Sequence, residues 1–381
     1  MADLLIDTTR LADRTLRGRL PTGVDRVDLA YVDHYATRAR ALVRFGGRWL
    51  VLGEGASRWV FDALRHPTPR SRRRLRLAVA SAYARPWPTG RQPILLNISH
   101  SGLDQPDYAA RLAAGRWRPL FFLHDLIPIT HPEYCRPGEA DKHRRRLETM
   151  LSCGRGLVVN SIATLRRLQS YAAAQRQAVP PTVVAPLAPA TLPPPAPLAP
   201  LAGPYFIVLG TIEPRKNHLL LLQVWRRLVE TLGSAAPRLV IIGQRGWECE
   251  QVIDLLERCP ALREGVIECP ACSDLALSTY FHHARALLFP SFEEGYGLPL
   301  VEALMAGVPV LASGLPVFSE IAGTIPDYLD PLDGPGWYRR VVEYMAPDSA
   351  ARAVQLGRLA GFQAATWDEH FRRVDPMLGR L

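Results

Sequence analysis

The stretch FPSFEEGYGLPLVEALMAGVPVLASG, residues 289–314, constrains the fold of this chain more than any other. An apolar run of strand length (RALLFP) enters it and a glycine-punctuated turn (EEGYG) follows. A helix then opens at Leu298 and Pro299, and a second apolar run (VPVLAS) closes the stretch. Proline fits the first helical turn because the N–H it lacks would be unpaired there. Strand, helix and strand in that order make a βαβ unit, which commits the region to a parallel sheet with its working end at the turn. Gly295 and Gly297 stand just before the helix. Glycines there let backbone approach a ligand, and the unpaired amides of the first turn, near Gly297 and Leu298, suit a phosphate.

Two carboxylates belong to this turn: Glu294 precedes the glycines and Glu302 lies eight positions on, in the helix. Glu302 can accept a bidentate hydrogen bond from vicinal hydroxyls such as a ribose diol, and Glu294 can contact polyol groups beyond a phosphate. A Glu near a helix N-terminus is also favourable without a ligand, so for Glu302 alone capping and ligand contact both stand. Two glutamates with seven residues between them, around GYGLPLVEAL and followed by AGVPV, resemble the donor-site signature of family 4 retaining glycosyltransferases. The resemblance implies the GT-B fold: α/β, with two doubly wound, Rossmann-like parallel-sheet domains facing each other across a cleft.

With 381 residues, two domains of about 180 each are expected rather than one core. Hydrophobic residues at 48% and charged residues at 22% are those of a folded globular protein. The formal charge of +10 is unevenly spread: residues 1–180 hold 30 Lys+Arg against 15 Asp+Glu, and residues 181–381 hold 16 against 21. The basic excess lies wholly in the first half and directs that half toward something anionic. The opening MADLLIDTTRLADR has an acid at Asp3 and no basic-flanked apolar run, so it does not read as a secretory signal, and no stretch reads as a membrane span. Six scattered cysteines fit reduced thiols in a cytoplasm. The CPAC of Cys269 and Cys272 has no second pair to complete a site, so plain thiols and no metal are expected.

LLID at 4–7 is a strand-length run, and in LPTGVDRVDLAYVDHYATRARAL, which follows it, Val24, Val27, Tyr31 and Tyr35 recur at helical spacing. GT-B proteins commonly carry a Thr-Gly-Ile-Gly-Arg type of sequence in this loop, across the cleft from the donor phosphates. By that resemblance Gly23 is a candidate phosphate or acceptor-loop residue, with Asp25 where a second glycine is usual; Arg26 reads first as a solvated helix face. Five arginines in the seven positions 70–76 make the densest positive patch. No aromatics interleave and no nucleic-acid module surrounds them, so nucleic acid is not the expected partner. An anionic membrane surface is one reading and a solvated loop without a partner is the other.

The apolar runs ILLNIS, PLFFLHDLIP and GLVVNS alternate with helix-compatible segments, the pattern of a parallel α/β sheet. His124 and Asp125 end the second run, where such sheets bind ligands; a buried structural histidine is the alternative for His124. Ser161 reads as the N-cap of the next helix. FFLHDLIPITHPEY resembles the acceptor-domain segment of family 4 enzymes, whose strand-end histidine faces the transferred sugar.

Ten prolines between 179 and 204 exclude a membrane helix and imply an extended, semi-rigid linker. The expected division is an acceptor-binding domain at 1–185, the linker at 186–203, a nucleotide-sugar-binding domain at 204–363 and a last helix at 364–381, which in GT-B proteins crosses back onto the first domain. Trp367 in that helix is expected to pack. After the strand YFIVLG, Arg215 and Lys216 lie in a polar turn before an amphipathic helix, where a diphosphate needs fixed positive charge. GTIEPRKN resembles the family 4 turn whose Arg and Lys bind the donor pyrophosphate. Gly243 ends RLVIIG at another strand-to-helix turn, open to sugar or phosphate. VIECPACSDLALSTYFHHA corresponds by position to the loop that flanks the nucleotide base in related proteins; Ser319, Glu320 and DYLDPLD resemble the family's closing helix and final strand.

The resemblance implies a retaining glycosyltransferase that moves a hexose from a nucleotide diphosphate sugar to a glycan or lipid-linked acceptor. EPRKN with EEGYGLPLVEA is most similar to bacterial mannosyl- and related transferases of surface-polysaccharide assembly, so GDP-mannose is the first donor to test, and the expected location is cytoplasmic, peripheral at the inner face of the membrane. Arg215, Lys216 and the amides near Gly297 and Leu298 would hold the diphosphate, Glu302 the ribose and Glu294 the sugar, with no cofactor or metal needed to stabilise the leaving charge. Glu294 and Glu302 are not expected to act as a glycosidase-type acid and nucleophile. Two alternatives remain: a GT-B nucleotide-sugar epimerase, and a non-catalytic polyanion- or lipid-binding protein of the same fold.

Overall fold

A computed structural model describes residues 4–19, 21–84, 92–115 and 117–381. Asp3, used above in reading the N-terminus, lies outside them. The chain packs as two units: Met1–Ile129, Ala140–Leu187 and Trp367–Leu381 in the first, Thr130–Glu139 and Ala188–Thr366 in the second.

The first unit is built on seven strands: β1 (Leu4–Asp7), β2 (Ala39–Phe45), β3 (Arg48–Val51), β4 (Ile94–Asn97), β5 (Arg118–Leu123), β6 (Gly156–Val159) and β7 (Thr182–Val184). Their order is β3-β2-β1-β4-β5-β6-β7. All neighbours are parallel except β2 and β3, an antiparallel edge hairpin. That hairpin is not visible in the sequence pattern, because Arg40 and Arg44 interrupt the apolar run; Arg44 is only 9% exposed and is neutralised by Asp7 at 3.1 Å. Leu5, Leu95, Phe121, Leu123 and Val159 meet Leu147, Met150 and Leu168 from the covering helices, which buries the central strands.

One reading of the first half changes. The run 70–76 is not a loop but part of a helix, Pro69–Ala84. Ser71 folds the turn before it, its Oγ accepting from the Thr68 amide at 2.7 Å. The tail helix Trp367–Arg380 belongs to the first unit, fixed by aromatic and polar contacts together. His370 Nδ1–H donates to the Pro186 carbonyl at 2.9 Å, so its Nε2 accepts from the Tyr31 hydroxyl at 2.9 Å. Phe371 stacks on His34 with centroids 3.8 Å apart, and Asp375 accepts from Tyr35 and Arg38.

The second unit holds β8 (Tyr205–Leu209), β9 (Arg238–Ile242), β10 (Val266–Cys269), β11 (Leu287–Phe289), β12 (Val310–Ser313) and β13 (Asp327–Leu329). Every pairing is parallel and the order is β10-β9-β8-β11-β12-β13. This doubly wound order reverses between β8 and β11, and ligands of such sheets bind beyond the carboxyl ends of the strands at the reversal. Phe206, Val208, Leu239 and Ile241 pack against Leu221, Trp225 and Leu228 of the helix His218–Leu232.

The proline-rich segment runs without helix or strand from 185 to 204, and from Ala188 on it packs with the second unit. Proline lacks a donor but keeps its carbonyl, and the helix Asp274–His283 uses that backbone. Ser278 donates to the Pro193 carbonyl at 2.6 Å, Thr279 Oγ1 accepts from the Ala196 amide at 3.0 Å, and His283 donates to the Ala196 carbonyl at 3.1 Å. Among the described residues no helix is long and apolar enough to cross a membrane.

Candidate functional site

The strongest concentration of buried charge in the second unit lies at the reversal between β8 and β11. After β8 the chain makes a short 3₁₀ turn, Pro214–Lys216, and Asn217 then adopts a left-handed backbone at φ 57° before the next helix. The Asn217 side chain makes that geometry stable by donating to the Pro290 and Pro331 carbonyls at 3.2 and 2.8 Å. The turn brings Arg215 and Lys216 against the loop that follows β11. Lys216 Nζ lies 2.6 Å from Glu294 Oε1, and Arg215 lies 2.6 Å from Glu294 Oε2. Ser291 adds a hydrogen bond to Glu294 Oε1 at 2.9 Å. The backbone locks the same arrangement: the Phe292 amide donates to the Arg215 carbonyl, and Arg215 donates to the Glu293 carbonyl at 2.8 Å.

Lys216 and Glu294 are 8% and 6% exposed, so both charges sit out of bulk water. Burial alone would raise the Glu294 pKa, but Arg215, Lys216 and Ser291 outweigh it and hold the carboxyl at about 2. Burial lowers the Lys216 pKa despite Glu294. An ionised carboxylate has about four acceptor positions; Lys216, Arg215 and Ser291 occupy three of those on Glu294. One remains without a partner among the described residues.

Gly297 caps the helix Leu298–Met305 at φ 105°, and a Cβ there would lie 2.6 Å from the Phe318 ring. Glycine is required twice over, by backbone and by packing. The Leu298 amide has no acceptor among the described residues, the condition for an anion at a helix N-terminus. Glu302 is the fifth residue of this helix and only 5% exposed. A capping-box carboxylate sits at the third helical position, so the geometry disfavours capping as the reason for Glu302. Gly295 stands in the loop between Glu294 and the cap. At Gly243 a Cβ would fall 2.0 Å from the Gly210 carbonyl, so the ends of β8 and β9 explain that glycine by themselves.

Four features of this region escape sequence reasoning. Glu213 accepts from Arg215 at 2.5 Å, and Glu293 accepts from the Glu294 amide at 3.0 Å, which fixes the loop. His218, next to the turn, is 1% exposed with no partner on either ring nitrogen among the described residues; burial and Lys216 lower its pKa to about 3, so it brings no charge. The excursion Thr130–Glu139 is the fourth surprise, because His131 lies 3.9 Å from Glu293 and Tyr134 stacks on Phe292 with centroids 5.3 Å apart. Only the carboxylates had a signal, their position inside IEPRKN and FEEGYG.

In the first unit, His124 ends β5 and is 7% exposed. Its Nε2–H donates to the Ile98 carbonyl at 2.8 Å, which leaves Nδ1 with a lone pair, and burial lowers its pKa to about 4. It is a neutral acceptor near pH 7. Asp125 caps the following turn by accepting from the Ile127 amide at 3.0 Å. Ser161 is the N-cap of the next helix, accepting from the Thr164 amide. Gly23 opens the helix Gly23–Tyr35, but Asp25 already fills its N-terminus: Oδ2 accepts from the Thr22 amide at 2.7 Å. Asp25 also pairs with Arg10 and Arg14, each at 2.8 Å. Asp25 thus closes a capping box at the start of that helix.

These geometries stand beside clear relatives. Residues 195–324 match the family described as Glycosyl transferases group 1. Serotype-specific mannosyltransferase WbdA of Escherichia coli is 30% identical over 222 residues, 53% of this chain and 26% of that one. The O-antigen chain mannosyltransferase B of Escherichia coli is 33% identical over 165 residues, covering 43% and 42%. This chain therefore spans less than half the length of these relatives. Among solved structures, Anabaena Alr3699/HepE in complex with UDP aligns over all of both chains with a TM-score of 0.65 at 14% identity, which speaks to the fold. The fold class is GT-B, α/β with two Rossmann-like parallel-sheet units. The match to the group 1 glycosyltransferases lies in the second half of the chain.

Proposed function

We propose that this chain is a retaining glycosyltransferase that moves a hexose from a nucleotide diphosphate sugar to a glycan or lipid-linked glycan in surface-polysaccharide assembly. The observation that carries the reading is the buried Arg215–Lys216–Glu294 cluster at the strand-order reversal of the second sheet. Arg215, Lys216 and the Leu298 amide hold the diphosphate and stabilise its growing charge as the sugar leaves, without requiring a metal. Glu302 binds the ribose diol. Glu294 keeps the two cations in place and offers its remaining acceptor position to a sugar hydroxyl.

A carboxyl held at about 2 has no proton to give near neutral pH, so Glu294 is not the acid of a glycosidase-type pair. Retention then follows from attack on the face the diphosphate leaves, with a departing phosphate oxygen taking the acceptor proton. His124, neutral and with Nδ1 open, accepts a hydrogen bond from a sugar hydroxyl. GDP-mannose is the first donor to test, since the relatives named above are mannosyltransferases. We assign the protein a cytoplasmic site of action at an anionic membrane face. Thermal stabilisation screened with GDP-, UDP- and dTDP-sugars identifies the donor, because a ligand at a hundred times its Kd adds about 2.7 kcal/mol. Sugar transfer to an acceptor confirms the reading, whereas an epimerised donor or binding without turnover refutes it.

A further inference from the structure

The first unit carries a groove that none of this chemistry uses. Its volume is about 800 Å³, within the roughly 300–1,000 Å³ usual for ligand sites. Leu16, Val43, Val79 and Ala80 line it together with Arg10, Arg44, Arg76 and one carboxylate, Asp13, which is paired with Arg17 at 2.8 Å. It lies past the carboxyl ends of β1 and β2 and beside Ser101 after β4, and β1 and β4 are the neighbours where this sheet reverses its order. That is the position where α/β sheets bind ligands.

The arginines of the groove are not equivalent. Arg10 is paired with Asp25 at 2.8 Å, and Arg44 with Asp7 at 3.1 Å and Ser101 at 2.5 Å, so both are committed. Arg76 is exposed and has no ion-pair partner among the described residues, and the same holds for Arg73 one turn earlier. Arg73, Arg76, Ala80 and Tyr83 are spaced three, four and three apart, so they share one face of the helix Pro69–Ala84. Arg76, Ala80 and Tyr83 from that stripe line the groove. The helix contains no acidic residue, and Phe45, which also lines the groove, is 62% exposed. Unpaired positive charge thus runs directly into an apolar channel.

We propose that this groove takes the hydrocarbon chain of one anionic membrane lipid, with Arg73 and Arg76 holding its phosphoryl head. Charge complementarity selects the head and the apolar lining selects the chain, so neither half alone satisfies the site. That this lipid carries the glycosyl acceptor rests on the transferase reading; its binding does not. The test is calorimetric titration of the full chain with decyl phosphate below its micelle threshold, against inorganic phosphate and 1-decanol. Decyl phosphate binds at least tenfold more tightly than either control, and both Ala80→Trp, which fills the groove from an exposed position, and Arg76→Glu weaken it at least tenfold. Inorganic phosphate binding as tightly reduces the site to a bare anion patch and overturns the proposal. Decanol binding as tightly, or an unchanged Ala80→Trp, overturns it equally. Titration of the same samples with GDP and UDP reads the donor site separately and is unaffected by either variant.

Discussion

Glu294→Gln keeps the shape of the side chain and removes its charge, which isolates what the buried cluster contributes. In the folded protein the carboxyl is held at about 2 against an ordinary 4.5, first against burial and then by Arg215 and Lys216. At about 1.4 kcal/mol per pH unit that depression comes to about 3 kcal/mol. Lys216 gives part of it back, since burial lowers its own pKa, so about 2 to 3 kcal/mol is the expected net loss in the variant. The sign of the pH dependence follows from a depressed carboxyl. Its stabilisation is fully present above pH 4.5, shrinks as the unfolded chain takes up the proton, and is gone below about pH 2. Urea denaturation of both proteins from pH 7 to pH 3 should show the gap narrowing to roughly half at pH 3. GDP should also stabilise the variant more than the parent, because its phosphate oxygens replace the missing anion between the two cations. A gap under 0.5 kcal/mol, or one that does not change with pH, would refute the ion-pair account.

Glu302→Ala should lower nucleotide-sugar affinity by about 1.5 to 3 kcal/mol, the worth of a charged hydrogen bond, with little change in melting temperature; calorimetry showing lost stability and unchanged affinity would return Glu302 to a structural role. Gly297→Ala should cost about 1 to 3 kcal/mol through its left-handed backbone and its contact with Phe318, read as a lower melting temperature. Reversing Arg70, Arg73 and Arg74 to Glu should reduce sedimentation with phosphatidylglycerol vesicles by orders of magnitude at low salt, at about 1 kcal/mol per arginine, while donor affinity stays unchanged. Equal, salt-insensitive sedimentation of both proteins would remove the membrane from the account.

The second half of the chain is the more legible one, and the reason is physical. In a doubly wound sheet the ligand-facing turns follow strands that are apolar throughout, so YFIVLG, RLVIIG and RALLFP mark their own ends and point to Arg215, Gly243 and Glu294. What the string does not carry is partnership between distant turns: that Glu294 neutralises Lys216, 78 residues away, emerges only when β8 and β11 lie side by side. The first half hides more because its charged residues are structural. Arg44 of β2 pairs with Asp7 of the neighbouring β1 and Asp25 fills a helix end, so an alternation-based reading sees polar interruptions where the fold has satisfied ion pairs. The proline-rich stretch misleads differently, since composition reports the donors it lacks and not the carbonyls it offers to Ser278 and His283.

The buried histidines set a second pH limit, above that of Glu294. His370 in the tail helix is fully buried, and burial lowers its pKa from 6.5 to about 4. Its Nδ1–H goes to the Pro186 carbonyl and its Nε2 accepts from Tyr31, so a second proton would replace an accepted hydrogen bond with two facing donors. A histidine depressed in this way leaves the fold at full strength above pH 6.5 and weakens it as pH falls toward 4, because the unfolded chain takes up the proton first. The slope attributable to one such residue approaches 1.4 kcal/mol per pH unit between those limits. His370→Gln lacks the titrating ring, so its urea midpoint should vary less between pH 6.5 and 4 than that of the parent, even if its stability at pH 7 is lower. Far-ultraviolet circular dichroism across a urea series at half-unit pH steps reads both slopes directly. Parallel pH profiles for the two proteins would show that protonation of His370 is not coupled to unfolding of the first unit.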